Sequence, residues 1–372
     1  MTDPFPTLLP ITPHTQAKHK ILRLYLEAWI AILSRQSSKV GGRGKEILFV
    51  DGFAGPGIYE TGEPGSPIIA ISAALSHGED LPVPVRFLFI EQREDRHRSL
   101  QTELEKLSEP IANCSTIRLS SPVQGDCATE LGRVLDECSR SSQKFGPALV
   151  FLDQFGYSQV PMELIGRIME HPQCEVFSYL NYKRLVQFMA DAGKQTGISN
   201  AWGSEEWRGA LKLRGGLKRN FVKESYKSAL KGHAKAKYVL DFAMCGDDGS
   251  VLYWLFFCTN NIRGIEEMKR AMWKLDDSGT FRFSDKDDPD QLRLLSGCTQ
   301  DWLAHELSRD LRGHALSLDE IKEYVLTETP CYLYKQALKT LERSERLLVT
   351  NAPSNRRTGT FSSEQLCLRF IG

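Results

Sequence analysis

Acidic side chains follow several strand-like runs of this sequence, where they could bind a polar ligand. They are Asp51, Glu91, Asp126 and Asp153. Ligands of doubly wound sheets bind beyond the carboxyl ends of the strands, so these acids predict one shared site. A single acid at such a position is commonly only a helix cap or a loop hydrogen-bond acceptor. Four of them together with a glycine turn favour a ligand site.

Each acid suggests a specific contact with an adenosine ligand. Glu91 ends the second strand, where a fixed carboxylate can accept paired hydrogen bonds from two ribose hydroxyls. Asp126 could accept from the adenine amino group, while the backbone amide of Cys127 donates to the ring. Asp51 would either orient the glycine turn or accept from a methionine amino group. The histidines and cysteines show no metal-ligand spacing, so no metal site is predicted.

The turn after the first strand is rich in glycine and lets backbone approach a ligand closely. It contains Asp51, Gly52, Phe53, Gly55 and Gly57. The spacing Gly-x-x-Gly-x-Gly is neither the dinucleotide fingerprint nor a phosphate-binding loop. It is similar to the Asp-x-Phe-x-Gly-x-Gly turn of S-adenosylmethionine-dependent methyltransferases, above all those that act on exocyclic amines. S-adenosylmethionine is therefore the expected cofactor.

The fourth strand ends in Asp153, Gln154, Phe155, Gly156 and Tyr157. An amine nucleophile needs an acceptor that holds its hydrogen and an aromatic face that stacks its ring. Asp153 and Phe155 could take these roles, with Gly156 in the same turn. The alternative is a turn that only shapes the edge of the sheet. Amine methyltransferases usually have proline where Gln154 stands.

Strand-like and helical segments alternate through the first two thirds of the chain, which predicts a mostly parallel α/β sheet. The expected strands are 46–51, 85–91, 116–119, 148–153, 175–181, 237–245 and 251–259. The expected helices are 15–37, 67–75, 94–107, 128–139 and 161–170. The segment 37–44 is expected to form a loop. The last two strands flank the turn 246–249, and this closing hairpin resembles the Rossmann-like sheet of methyltransferases.

A helical insert is predicted at about 183–236, with Trp202 and Trp207 packed in a core. Its second half is strongly basic, with Glu224 as the one acid. The basic residues are Lys212, Arg214, Lys218, Arg219, Lys223, Lys227, Lys231, Lys235 and Lys237. They could neutralise the phosphates of DNA or RNA, or they could form an ordinary solvated helix face.

Two short helices and a β-hairpin predict a winged helix-turn-helix at the C-terminus. The helices are expected at 316–326, with Ser317 near their start, and at 330–341. The hairpin would join 347–350 to 366–371. A winged helix can bind nucleic acid or protein.

The composition is that of a globular protein, with 41% hydrophobic and 25% charged residues. Basic and acidic residues balance at 47 each, so overall charge favours no nucleic-acid partner. No apolar run is long enough to cross a bilayer, and no signal peptide is visible. Nine scattered cysteines without a Cys-x-x-Cys pair suggest reduced thiols and a cytoplasmic protein.

Several of these segments together resemble the three-Cys-motif partner protein (TcmP) family. They are 18–29, 50–57, 62–67, 153–157 and 264–274. The resemblance covers most of the chain and implies a methyltransferase-like fold, a winged-helix tail and a bacterial partner with a three-cysteine motif, similar to a phage protein family. Gln154 departs from the Asp-Pro-Phe-Gly that is usual in the family. Lys18 and His19 could reach a ligand carboxylate or a substrate phosphate, or they could be surface charges.

These observations predict a methyltransferase-like domain at 1–290 and a winged-helix domain at 291–372. The first hypothesis is an S-adenosylmethionine-dependent enzyme that acts on nucleic acid or on a product of its partner. The second is an adaptor that binds nucleic acid or protein and retains the fold without the reaction. Neither the methyl acceptor nor the oligomeric state follows from the sequence.

Overall fold

Short apolar runs form the central sheet of the first of two units into which the chain divides. The computed structural model describes residues 6–39, 46–141, 145–246, 248–276, 282–284, 299–361 and 366–371. The first unit comprises residues 1–267 and 283–286, and the second comprises 268–282 and 287–372.

The sheet of the first unit is mostly parallel. Its strands are β1 (Ile47–Asp51), β2 (Val85–Glu91), β3 (Ile117–Leu119), β4 (Val123–Gln124), β5 (Ala148–Leu152), β6 (Cys174–Leu180), β7 (Tyr238–Cys245) and β8 (Val251–Thr259). They lie in the order β3-β2-β1-β5-β6-β8-β7, β4 also pairs with β2, and a ninth strand, β9 (Arg282–Ser284), lies beside β7. β8 is antiparallel to both β6 and β7, whereas β1, β2, β3 and β5 pair in parallel. The predicted α/β sheet that closes on an antiparallel hairpin is thus confirmed, and it has a Rossmann-like arrangement consistent with a methyltransferase fold.

Helices connect these strands. They are α1 (Pro13–Lys39), α2 (Ser66–Leu75), α3 (Glu94–Glu105), α4 (Ser108–Ala112), α5 (Cys127–Arg140), α6 (Met162–Met169), α7 (Tyr182–Phe188), α8 (Gln195–Trp202) and α9 (Gly215–Gly232). The helix α1 continues to Lys39, so the prediction of a loop from residue 37 is wrong at its start. Extending a formed helix costs far less than starting one, which lets weak helix formers follow a strong segment. Residues 40–44 of that predicted loop lie outside the described residues.

The core of this unit lies on both faces of the sheet. Every residue of β5 is buried, as its unbroken apolar run requires in a parallel sheet covered by helices. Trp202 and Trp207 are both fully buried, which confirms that they pack in a core. Their indole nitrogens donate to Ser225 Oγ (3.2 Å) and Ser199 Oγ (3.0 Å), so neither polar atom is left unsatisfied.

The chain passes between the units through α10 (Ile262–Trp273) and β9 (Arg282–Ser284). The second unit then contains α11 (Gln300–Asp310), β10 (Ala315–Ser317), α12 (Leu318–Glu328), α13 (Tyr334–Arg343), β11 (Leu347–Thr350) and β12 (Cys367–Phe370). Its strands form an antiparallel sheet in the order β10-β12-β11. Ser317 caps α12 through a reciprocal capping box with Glu320, so the helix begins after this residue.

Two expectations from composition have different outcomes. Among the cysteines that the structure describes, seven are free thiols, but Cys331 is disulfide-bonded, so the expectation of reduced thiols is wrong there. Within the described part of the chain, no helix is both long and apolar enough to span a membrane.

Candidate functional site

Three of the predicted acids lie at one edge of the sheet. Asp51 ends β1, where it is in register with Phe89 of β2 and Phe151 of β5. Glu91 lies two residues after Phe89, and Asp153 lies two residues after Phe151. The parallel pairing therefore brings the acids together, although they are far apart in sequence.

Asp51 orients the glycine turn. Its carboxylate is fully buried and accepts from the Phe53 backbone amide (3.1 Å) and from Ser66 Oγ (2.6 Å). Burial raises the pKa of Asp51 to about 7, and these two hydrogen bonds only partly oppose that effect. Of its two predicted roles, the geometry corresponds to orienting the turn.

Glu91 holds the same turn from the neighbouring strand. One carboxylate oxygen accepts from the Gly55 amide (2.9 Å) and the other from the Arg93 amide (2.8 Å). Gly55 has a φ of +64°, a left-handed conformation that strains other residues, and a Cβ there would meet nothing within 4 Å. The turn therefore presents open space at Gly55, as close approach of a ligand would require.

Asp126 and Cys127 lie at the start of α5. Asp126 accepts from the Thr129 backbone amide at 3.0 Å, so it is the N-cap of this helix. Cys127 is buried, and its Sγ fills the space beside Gly52. A Cβ atom added to Gly52 would lie only 2.4 Å from this sulfur. Gly52 is thus required by packing inside the protein.

Asp153 forms an ion pair with Lys18 of α1. Lys18 is only 6% exposed, and His19 beside it is equally buried. The interpretation of Lys18 and His19 as surface charges is therefore wrong. Burial, together with the Lys18 charge, lowers the pKa of His19 to about 3, so its imidazole is neutral where it contacts the Tyr59 ring (5.6 Å between centroids).

Gln154 has a structural role that a proline could not perform. Its buried amide nitrogen donates to the Tyr179 carbonyl at 3.0 Å, and its oxygen accepts from the Gln159 amide at 3.0 Å. The Gly156 amide donates to Gln159 Oε1 (3.2 Å). Side-chain hydrogen bonds thus fix this turn to the end of β6.

Phe155 is exposed beside the turn. More than half of its surface (54%) is accessible, and the Arg96 guanidinium lies 5.0 Å from its ring centroid. The arrangement is a cation–π contact on a ring that remains available for stacking.

A cavity of about 470 Å³, counting the space at its mouth, opens beside these residues. Its lining includes five predicted site residues: Phe53, Gly55, Gly57, Asp153 and Phe155. Asp51, Gly52 and Glu91 do not line it, although Asp51 and Glu91 accept hydrogen bonds from backbone amides of the turn. Asp126, Cys127 and Gly156 are not among the lining residues.

Sequence analysis missed other residues that line the cavity, among them Leu9, Tyr59, Ser66 and Arg96. The segment 6–12 crosses near the cavity, where Leu9 O accepts from the Glu60 amide (3.0 Å) and Pro6 O from Arg96 (3.3 Å). Tyr59 and Ser66 are close in sequence to the glycine turn, which could have indicated them. Nothing in the sequence around Leu9 or Arg96 indicates a site.

Comparison with solved structures finds only distant similarity. The chain is similar to Trm1 from Pyrococcus horikoshii in complex with S-adenosyl-L-methionine, with 11% identity over 97% of this chain and 94% of that one and a TM-score of 0.36. It is also similar to a putative O-methyltransferase from Klebsiella pneumoniae, with 11% identity over 68% and 93% and a TM-score of 0.31. At TM-scores this low, the similarity does not support an assignment of the fold, which rests on the strand order described above. No protein-family model and no curated protein matches the chain.

Proposed function

We propose that this chain is an S-adenosylmethionine-dependent methyltransferase-like protein that acts with a three-Cys-motif partner on nucleic acid or on a substrate that the partner generates. The main support is the turn at Gly55, which is open toward a cavity at the carboxyl edge of the parallel sheet. Ligands of such sheets bind at this edge.

The residues around the turn suit this cofactor. Gly55 and Gly57 would allow close backbone approach, and Phe53 would contact the ligand. Glu91 would accept from the ribose hydroxyls, since its two oxygens keep lone pairs beyond those used by the Gly55 and Arg93 amides. Asp126 would accept from the adenine amino group through its second oxygen, while the Cys127 amide donates to the ring.

Asp153 and Phe155 would position the acceptor. Bound S-adenosylmethionine supplies an activated methyl group, so no covalent intermediate with the protein is needed. Asp153 would hold a hydrogen of the acceptor amine and receive the proton that is lost on methylation. Phe155 would stack the ring that bears the amine. Lys18 compensates the charge of Asp153 and fixes its position.

We further propose that residues 291–372 form a winged helix. Two helices, α12 and α13, precede a two-stranded hairpin, and β10 adds a third strand in the antiparallel sheet. This order is the one a winged helix requires. It would contact either nucleic acid or the three-Cys-motif partner, which would supply the cysteine cluster that gives its family its name.

Calorimetry with S-adenosylmethionine and S-adenosylhomocysteine tests the cofactor. Gly55→Leu should abolish binding, because the side chain would fill the cavity. Gly62→Leu is the matched control, because Gly62 also has a positive φ and open space but does not line the cavity. Equal binding by both variants and the wild type would contradict the proposed cofactor position. Labelled-methyl transfer to total nucleic acid and to the partner then tests the reaction.

A second candidate is the adaptor without catalysis. The observation that favours it is the ion pair between Lys18 and Asp153, because Asp153 is the one acid among the described residues that line the cavity. An adaptor would bind nucleic acid or protein but show no affinity for S-adenosylmethionine. Calorimetry therefore separates the two candidates.

A further inference from the structure

Ion pairs divide the basic stretch of the first unit into two sets. Lys223 and Lys227 both approach Asp241, at 3.7 and 2.7 Å, and Lys235 pairs with Glu170 at 2.9 Å. These three lysines already have acidic partners. Each would give up a protein partner on binding a phosphate, so they are poor candidates for contact with a polyanion.

Of the six remaining cations, Lys231 lies in the last turn of α9 and Lys237 directly before β7, whereas the other four cluster around the start of α9. They are Lys212, Arg214, Lys218 and Arg219. None of the four forms an ion pair with a described residue, and the sequence has no acid between Glu206 and Glu224. We call these four residues the unpaired cluster. A set of uncompensated cations on 8 consecutive positions of a neutral protein is a local charge asymmetry.

The unpaired cluster lies at the same edge of the sheet as the cavity. β7 runs parallel to β6, because both strands are antiparallel to β8. α9 runs in the opposite direction beside β7, since Lys227 reaches Asp241 within β7 (2.7 Å) and Lys235, after the helix, reaches Glu170, before β6 (2.9 Å). The start of α9 therefore lies toward the carboxyl end of β6.

A further cation lies between the cluster and the cavity. Arg184 is exposed on α7 and forms no ion pair among the described residues. Its backbone amide donates to Asn181 Oδ1 (3.0 Å), directly after β6, and Tyr179 of β6 contacts Lys18, the partner of Asp153 (5.8 Å from Nζ to the ring centroid). Cations without an ion pair among the described residues therefore lie along the carboxyl edge of the sheet, from α9 to α7, on the edge that also holds Asp153 and Phe155.

We propose that the unpaired cluster and Arg184 bind the phosphodiester backbone of a nucleic acid whose base reaches Phe155. A cationic track beside an exposed aromatic ring is the usual arrangement for binding single strands, because phosphates pair with cations and bases stack on rings. This inference rests on the proposed function and selects nucleic acid, rather than a small molecule made by the partner, as its substrate class.

Fluorescence anisotropy with labelled single-stranded RNA, single-stranded DNA and duplex DNA over a salt series tests the inference. The variant is Lys212→Gln with Lys218→Gln, and the control is Lys223→Gln with Lys227→Gln, which removes the same number and type of charge. Loss of two phosphate contacts should weaken single-strand binding by roughly 10- to 30-fold at 0.1 M salt and reduce the salt slope by about 1.4. The control should remain within about twofold of wild type, as expected when no phosphate contact is removed.

Several outcomes would overturn the inference. Equal losses in variant and control would mean that only net charge matters, and an unchanged salt slope would exclude phosphate contacts. Binding of a poly-glutamate peptide without binding of any nucleic acid would assign the surface to a protein partner. Calorimetry on the same samples separates this from the cofactor proposal. Cofactor binding without nucleic-acid binding would overturn only the inference about the unpaired cluster. Nucleic-acid binding without cofactor binding would overturn only the proposal that the protein is an S-adenosylmethionine-dependent enzyme.

Discussion

Lys18 near the start of α1 forms an ion pair with Asp153 at the end of β5, although 135 positions separate them in the sequence. The pair connects the first helix of the chain to the turn that contains Phe155. The positive charge of Lys18 also lowers the pKa of Asp51, which opposes the effect of the negative charge of Asp153 on that carboxyl group.

Lys18→Met should lower the free energy of unfolding by about 2 kcal/mol. This loss lies between those expected for breaking an exposed and a fully buried ion pair, because Lys18 is buried and Asp153 is partly exposed. Urea unfolding at pH 7 measures the loss. The double variant with Asp153→Asn should be more stable than Lys18→Met alone, since it leaves no uncompensated carboxylate. Additive losses would show that the two residues do not interact.

Gln154→Ala should cost about 2 kcal/mol, because the Tyr179 carbonyl and the Gln159 amide would lose their partner. Gln159→Ala is the matched control in the same turn. The Gln159 side chain is exposed and, among the described residues, accepts a hydrogen bond only from the Gly156 amide, so its loss should change the free energy of unfolding by less than about 0.5 kcal/mol. Equal effects would refute the structural role of Gln154.

Glu91→Ala should lower the affinity for S-adenosylhomocysteine by about 1.5–3 kcal/mol, as for a lost hydrogen bond to a charged group. Glu91→Gln should lose less, because an amide oxygen can still accept. Calorimetry gives both values, and Glu94→Ala on the exposed start of α3 serves as a control. An unchanged dissociation constant in folded Glu91→Ala would remove this acid from the ligand site.

Stability should fall as the pH rises toward 7 because of Asp51. Its pKa is raised to about 7 in the folded state by burial, while an unfolded Asp titrates near 4. Between about pH 4 and pH 7 the folded protein therefore keeps a proton on Asp51 that the unfolded protein has released. The stabilisation from this proton, on the order of 3–4 kcal/mol, is complete below about pH 4 and is lost by about pH 8. Asp51→Asn should flatten the pH profile of urea unfolding, and an unaltered profile would show that Asp51 does not titrate in this range.

Glu175 contributes in the same direction and has to be separated from Asp51. Burial raises its pKa to about 7, although it accepts from Tyr25 (2.5 Å) and Thr259 (2.7 Å). Glu175→Gln should therefore reduce the same slope without affecting the site, since Glu175 is the second residue of β6 and lies at the opposite edge of the sheet.

The sheet was predictable from sequence because its strands are local apolar runs. The predicted strand 85–91 coincides with β2, and the hairpin strands β7 and β8 agree within one residue. Short elements that depend on distant partners were missed. The helix expected from residue 316 begins at Leu318, because residues 315–317 pair instead with Cys367–Arg369. Such pairing leaves no local signal.

The site was predictable where a motif is continuous and less so where contacts are long-range. The glycine turn and the acids after β1, β2 and β5 indicated the edge at which the cavity lies. The sequence could not show that Lys18 is buried, because a lysine near a helix start is normally solvated and its ion-pair partner, Asp153 directly after β5, is far away in the sequence. The lining by Arg96 and Leu9 likewise depends on how distant segments pack.

The position of Leu9 has a practical consequence for anyone who prepares this protein. The segment 6–12 is held near the cavity through Glu60 and Arg96, and Leu9 forms part of the cavity wall. A shortened form that starts at Pro13, where α1 begins, would therefore keep the helix but remove part of this wall. Ligand-binding assays should use protein that retains this segment.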